Sequence, residues 1–137
     1  MRRRFLDSTV LAYAFGGSHA LRESCQQILA GRATGEVELH VSTEAVQEFL
    51  HHRLRRADRA PAVREAREIS AFCVVHPFDA VVLNRSLALI ATTRIRGRDA
   101  VHAATALEHG FTEIVSADAD FDDVPGLRRI DPAELAG

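Results

Sequence analysis

The stretch RDAVHAATALEHGFTEIVSADADF, residues 98–121, decides how this chain is read. Its first half is rich in alanine, the best helix former, and predicts a helix over residues 99–109 that stops at Gly110. A β-prone run over residues 113–116 follows, and it ends in two carboxylates, Asp118 and Asp120. In an open α/β sheet the carboxyl ends of the strands and the adjoining helix starts line the ligand crevice, so this order brings Asp99 and Asp118 toward one place. Two acids converging there point to a bound cation. Taken singly, an aspartate at a helix start serves equally well as a cap or as a partner of the helix dipole.

The chain has 137 residues, enough for one domain with a real core, and its 47% hydrophobic and 26% charged residues match an ordinary globular protein and do not indicate disorder. A net charge of −2 argues against a protein that holds nucleic acid by overall charge alone. Every basic residue apart from histidine is arginine, which excludes a Walker A lysine, a Schiff base and a phospho-aspartate receiver site. Cys25 and Cys73 lie far apart, form no zinc-like spacing, and read as buried thiols of a reducing compartment. Asp7 interrupts the apolar run behind the basic start, so a signal or membrane segment is not expected, and the reading is a cytoplasmic protein with no membrane contact.

Outward from the central stretch, strands and helices alternate. Phe5 and Leu6 make a short strand that ends at Asp7, and Ser8 or Thr9 caps a helix carrying Val10, Leu11 and Phe15; Asp7 competes for the cap. A second helix is expected from about residue 19 to residue 30, and residues 31–35 make a loop. Val37, Leu39 and Val41 alternate as a strand, and Ser42 or Thr43 opens a helix with Val46, Phe49, Leu50 and Leu54 on its core side. Glu44 and Glu48 both fall on its polar face, and periodicity does not choose between them. Arg53, Arg55, Arg56 and Arg59 form a basic run that by itself reads as a solvated helix end. Pro61 fits the first turn of the next helix, residues 73–76 make a third strand, and Asp79 caps a long helix bearing Val82, Leu83, Leu87, Ile90 and Ile95, closed by Gly97. A last strand covers residues 127–130. The alternation predicts an α/β fold, a mainly parallel central sheet of four to five short strands with helices on both faces, in one domain over residues 1–137.

Asp7, one of Glu44 or Glu48, Asp99 and Asp118 thus stand at element ends. Gathered within a few ångströms they repel by about 4 kcal/mol per close pair at an effective dielectric near 20, so the cluster requires protons or cations. Oxygen ligands without cysteine suit Mg²⁺, or Mn²⁺, rather than zinc.

The segments FLDST, STEAVQEFL, RDAVHAATALEHG and IVSADADFDDVPGLRRIDP resemble a PIN domain of the VapC toxin type. That family places an aspartate at the end of the first strand, a glutamate in the helix after the second, an aspartate opening an alanine-rich helix, and an aspartate in a Ser/Thr-x-Asp run after the fourth strand. The resemblance implies catalytic acids Asp7, Glu48, Asp99 and Asp118; Glu48 is chosen over Glu44 because the family's acid sits in a Glu-Phe or Glu-Leu pair. Asp7, Asp99 and Glu48 would hold the metal, with Asp118 ligating directly or through water. Ser8, Thr9, Ser116 and Asp120 resemble accessory residues, while Asp122 and Asp123 read as solvated loop acids. The implied function is a Mg²⁺-dependent endoribonuclease, the toxin of a toxin–antitoxin pair, in which activated water leaves a 5′-phosphate and a 3′-hydroxyl. Arg94, Arg96 and Arg98, with Arg53, Arg55 and Arg56, are placed to steer RNA phosphates. The implied partners are RNA, a small cognate antitoxin and a second copy of the chain, with DNA reached only through the antitoxin.

Two other classes compete. Glu48-x-x-His51 and Asp99-x-x-His102 imitate the pairs of a di-iron bundle, but that fold wants four long helices and this chain interposes strands; His51 and His102 read instead as packing residues or as supports for the ligands. A catalytically silent scaffold of the same fold, binding RNA or protein, is the alternative function. The presence of all four acids argues against it.

Overall fold

A computed structural model describes residues 2–135. Strands β1 (Arg2–Phe5), β2 (Val37–Ser42) and β3 (Val74–His76) pair in parallel, with Arg4 opposite Leu39 and His40 opposite Val74. Strands β4 (Glu113–Val115) and β5 (Arg128–Ile130) form a second parallel pair, and a parallel bridge between Leu6 and Val115 joins the two. The resulting order is β3-β2-β1-β4-β5. Parallel neighbours need crossover connections. Helices α1 (Ser8–Phe15), α2 (Arg22–Ala33), α3 (Thr43–Leu54), α4 (Arg59–Phe72), α5 (Ala80–Thr92) and α6 (Gly97–Glu108) supply them from β1 to β4, a 3₁₀ turn (Ala119–Asp123) lies between β4 and β5, and α7 (Pro132–Leu135) closes the described chain.

Period-two alternation at the end of β1 splits the core. Phe5 packs with Phe111, Phe121 and the alanines of α6 on one face of the sheet, while Leu6 packs with Val10, Leu11, Cys25 and Ile69 on the other. Helices therefore cover both faces, as the alternation of elements predicts. Residues 100–106 of α6 are all buried, and four of them are alanine. Small side chains let this helix lie close between α5 and the sheet. Its first turn, with Asp99, is thereby held near the strand ends. Among the described residues no helix is long and apolar enough to cross a membrane.

Several local expectations change. Asp7 caps α1, accepting from the Thr9 N–H, in place of Ser8 or Thr9. Helix α2 starts three residues late because the His19 ring accepts the Leu21 N–H and folds residues 19–21 into a turn. It also runs through Gly31 and ends before Gly35, whose φ of +78° only glycine adopts without strain. Helix α5 stops at Thr92 rather than at Gly97, since the Thr93 hydroxyl bonds the Leu89 carbonyl and its oxygen takes the Ile95 N–H. Its core face is Val82, Ser86 and Leu89. Leu83, Leu87 and Ile90 of the same helix are 44%, 54% and 43% exposed.

Candidate active site

The carboxyl ends of three adjacent strands build the site. Ser42 ends β2, Asp7 follows β1, and Ser116 follows β4. The Asp7 N–H still bonds the Val115 carbonyl, at 3.1 Å, so the sheet continues as far as the acid. Asp7 is 1% exposed, and its side chain is fully enlisted by its neighbours. Oδ1 accepts from the Thr9 N–H (3.1 Å) and the Thr9 hydroxyl (2.6 Å), and Oδ2 accepts from the Ser116 hydroxyl (2.8 Å). The Thr9 hydroxyl in turn accepts the Ala117 N–H (3.1 Å), and the Ser116 hydroxyl accepts the Asp118 N–H (2.9 Å). Two relays thus run from the backbone after β4, through one hydroxyl each, into the two oxygens of Asp7. With three of its roughly four acceptor positions used, Asp7 has one lone pair left, on Oδ2. Burial pushes its pKa up, opposed by the Thr9 hydrogen bond, the field of His102 and the Ser116 hydrogen bond.

Asp118 caps a short 3₁₀ turn (Ala119–Asp123) by accepting the Asp120 N–H at 2.9 Å. This folds the chain back so that Asp99, Asp118 and Asp120 bring carboxylate oxygens within 4.8 Å of one another. Asp99, in the first turn of α6, is not the cap, a place held by Arg96. Burial first, and then the charge of Asp118, raise its pKa to about 7. Asp7 adds to that repulsion but lies outside the three-carboxylate group.

Glu48 comes from α3 on the opposite side. Its Oε2 accepts from the Ser8 hydroxyl (3.0 Å), and its Oε1 lies 2.7 Å from His102 Nε2. His102 is completely buried, and its Nδ1 lies 2.7 Å from Ser42 Oγ. An ionised Glu48 can only accept, so His102 donates to it from Nε2, and in the neutral ring Nδ1 then accepts the proton of the Ser42 hydroxyl, whose oxygen also accepts the Ala45 N–H as the cap of α3. Burial would raise the Glu48 carboxyl, but the hydrogen bond and field of His102, with Ser8 and Arg98, outweigh it and hold the pKa below the usual range. Glu44 instead faces Arg98, with Nε 3.6 Å away.

The arginines divide. Arg94 and Arg96 are exposed beside the start of α6, and Arg98 reaches toward Glu44. Arg53 pairs with both oxygens of Glu65 (2.8 and 3.3 Å) and so ties α3 to α4, which takes it out of the set expected to steer RNA. Arg55 and Arg56 are exposed and make no ion pair among the described residues. Asp122 is not merely solvated: it takes two hydrogen bonds from Arg129, whose Nη1 also bonds the Ser116 carbonyl (3.1 Å). Arg129 thus braces the loop that carries Asp118. No spacing in the sequence marks it, because its partners are assembled only when β5 pairs with β4. His51 is exposed and touches none of these groups.

A family model described as PIN domain matches residues 4–127. Ribonuclease VapC7 of Mycobacterium tuberculosis is 37% identical over 130 residues, 93% of this chain and 90% of its own. VapC ribonuclease Mb1869c of Mycobacterium bovis is 30% identical over 135 residues, 91% of this chain and 97% of its own. The crystal structure of VapBC2 from Rickettsia felis, bound to a fragment of promoter DNA, superposes with a TM-score of 0.74 over 94% of this chain and 98% of that one. At 13% identity it bears on the fold alone. Matches of such length and identity to the sequences make this chain a PIN domain of the VapC type.

Proposed function

We propose that the chain is a metal-dependent endoribonuclease and the toxin half of a toxin–antitoxin pair. The observation that carries this reading is the trio Asp99, Asp118 and Asp120, whose oxygens lie within 4.8 Å while Asp99 is pushed to about 7. Near neutral pH such a group calls for a cation. Its donors are carboxylate oxygens only, with no thiol or imidazole, which fits Mg²⁺ or Mn²⁺. Such an ion, when bound, supplies Lewis acidity toward a phosphodiester and an acidified water for attack. Asp99 and Asp118 would hold it, Asp7 offering the remaining lone pair of Oδ2 and Asp120 standing at the rim. Glu48, aimed by His102 and Ser8 and kept ionised, orients the attacking water and takes its proton. Arg94, Arg96 and Arg98 meet the flanking phosphates. The relatives named ribonucleases support RNA as the substrate.

The test is cleavage of single-stranded RNA with Mg²⁺, with Mn²⁺ and with EDTA. Cutting is expected only with metal, leaving 5′-phosphate and 3′-hydroxyl ends. Ends bearing 2′,3′-cyclic phosphate would overturn the chemistry, since they require attack by the ribose hydroxyl. Metal binding without any cutting would favour the scaffold.

A cytoplasmic setting agrees with Cys25 and Cys73, both buried and unpaired, with burial raising each thiol to about 12. An antitoxin partner is what membership of the VapC type implies. Self-association is supported by α5, which packs on α6 with Val82, Ser86 and Leu89 and leaves Leu83, Leu87 and Ile90 outside. With Ala80 these stand at spacings of three and four, the seam of a helix pair. Such a face on a soluble protein is normally covered. Leu87→Arg should convert a dimer into a monomer in analytical ultracentrifugation while leaving the melting temperature of the isolated chain within about 2 °C, as exposed sites do. A variant that sediments like the native dimer would remove α5 from the interface.

A further inference from the structure

A cleft of about 470 Å³ opens directly beside the acidic site and shares Ser8, Thr9 and Glu48 with it. Its far wall is the end of α1 with the turn that follows, where Tyr13 of α1 and His19 of the turn stack face to face, with centroids 3.9 Å apart and planes 11° from parallel. His52 and Arg56 of α3 and its C-terminal turn close the other side. The volume lies within the roughly 300–1,000 Å³ usual for small-molecule sites.

The walls are held in place before anything binds. The Arg22 Nε donates to the Gly16 carbonyl (3.1 Å) and the Gln26 amide to the Ala14 carbonyl (3.0 Å), so α2 fixes the open end of α1. The Leu21 N–H donates to His19 Nδ1 (3.0 Å), which sets the ring's orientation and leaves the proton on Nε2. Gly17, on the cleft wall, has nothing within 4 Å of where a side chain would begin.

Charge decides what kind of occupant fits. The single acid in the lining is Glu48, and both of its oxygens are already engaged by Ser8 and His102. Against it stands Arg56, exposed and making no ion pair among the described residues, while the rings of His19 and His52 add flat surface without negative charge. Such a lining disfavours a basic peptide. It suits a planar base with its phosphate, because stacking on an aromatic tolerates any base and a guanidinium meets the backbone.

We propose that this cleft is a nucleotide subsite: the base next to the scissile phosphate stacks on the Tyr13–His19 pair, and the phosphate beyond it is met by Arg56. The inference rests on the ribonuclease reading above and names the part of the substrate which that site grips. The cleft adjoins the carboxylates, since the two share Ser8, Thr9 and Glu48, so a strand lying on the acids has this cleft within one nucleotide's reach.

Tyr13 is the sole tyrosine and the chain has no tryptophan, so intrinsic tyrosine fluorescence reports this cleft alone. Single-stranded RNA octamers, added with Mg²⁺ to the Asp99→Asn variant so that they stay intact, should quench it saturably. An abasic octamer of the same charge should bind without quenching. In the active protein with Mg²⁺, Tyr13→Ala and His19→Ala should each raise KM for a random-sequence RNA pool by about 5- to 100-fold, with the smaller change in kcat. Tyr13→Phe should stay near native. Arg56→Ala should reduce the slope of log KM against log salt by about 0.7, one single-strand phosphate contact. His19 is exposed, so its variant tests the idea even if Tyr13→Ala folds poorly. Unchanged KM in His19→Ala together with absent quenching would overturn the proposal. So would substitutions that weaken binding only to the protein of the neighbouring reading frame, which would make the cleft a peptide groove. The two readings fail separately. A protein that binds RNA with Tyr13 quenching yet cuts none loses the nuclease assignment and keeps the subsite.

Discussion

Asp99→Asn should melt no lower than the native protein in EDTA, lose most of the stabilisation that Mg²⁺ confers, and cut RNA at least 100-fold more slowly. The first outcome follows from comparing two local effects. Asp99 faces Asp118, and two such charges about 4 Å apart repel by roughly 1 kcal/mol in water and about 4 kcal/mol at an effective dielectric of 20. Against this, a carboxylate in the first turn of α6 gains about 0.3–1 kcal/mol from the helix dipole. The larger effect is relieved by the substitution. Because Arg96 and not Asp99 stands at the cap position, no capping bond is lost. At 100 times its dissociation constant Mg²⁺ should stabilise the native protein by about 2.7 kcal/mol, and the variant by much less. Equal metal-induced shifts in both proteins would remove Asp99 from the metal site.

The same residue sets the pH dependence. Its folded pKa, about 7, stands above the unfolded value near 3.8, so without metal the stabilisation linked to its proton is complete below about pH 4 and disappears as pH rises through 7. Asp7, also raised, acts in the same sense. Metal reverses the trend, because it binds the ionised carboxylates and its stabilisation grows over the same interval. Melts of the native protein from pH 5 to 8 should therefore diverge, falling with EDTA and holding or rising with Mg²⁺. Asp99→Asn should flatten the EDTA series.

What the sequence made legible was whatever depends on order and period. Alternation of elements gave the parallel sheet; alanines and Gly110 gave α6; and the order β2-β1-β4 sets the end of β1, with Asp7, beside the end of β4, with Ser116, after which the chain folds back to bring Asp118 to Asp99. Where two local signals competed, it was less legible. Asp7 and Ser8 both suit a cap, and only the extended backbone at Asp7 settles that it caps while Ser8 turns to Glu48. On α5, periodicity sees one apolar set of Val82, Leu83, Leu87, Ile90 and Ile95. It cannot see that α6 covers only the Val82–Ser86–Leu89 side.

Contacts distant in sequence and marked by no motif were not legible at all. Arg129 reaches the Ser116 carbonyl across 13 positions, and Ser42 meets His102 across 60. The cleft of Tyr13 and His52 joins two helices far apart in the chain, and no motif marks the residues that face each other across it.

His102 is the contact of this kind with the largest expected consequence. His102→Leu removes a buried ring that bonds Ser42 on one side and Glu48 on the other. The Ser42 proton is then stranded in the core, at about 1–3 kcal/mol, while half-buried Glu48 recovers some water. A loss of about 2–3 kcal/mol in urea denaturation is therefore expected. Activity should fall about 10- to 100-fold, the range seen when the partner orienting a site carboxylate is lost. Loss of packing alone would lower the rate at every pH alike. Loss of positioning also moves the profile, because without the ring burial prevails and the Glu48 carboxyl rises from its depressed value. In the native protein Glu48 contributes stability above its unfolded pKa that is lost as pH falls through the lower folded one; in His102→Leu that contribution vanishes or changes sign. The acid limb of the rate profile at saturating Mg²⁺ should accordingly shift to higher pH. His102→Gln, whose amide donates to Glu48 from nearly the position of Nε2, should restore both the limb and the rate to within about tenfold of native. A His102→Leu enzyme slowed at every pH with an unmoved acid limb would reduce His102 to packing and leave Glu48 to be aimed by Ser8 alone.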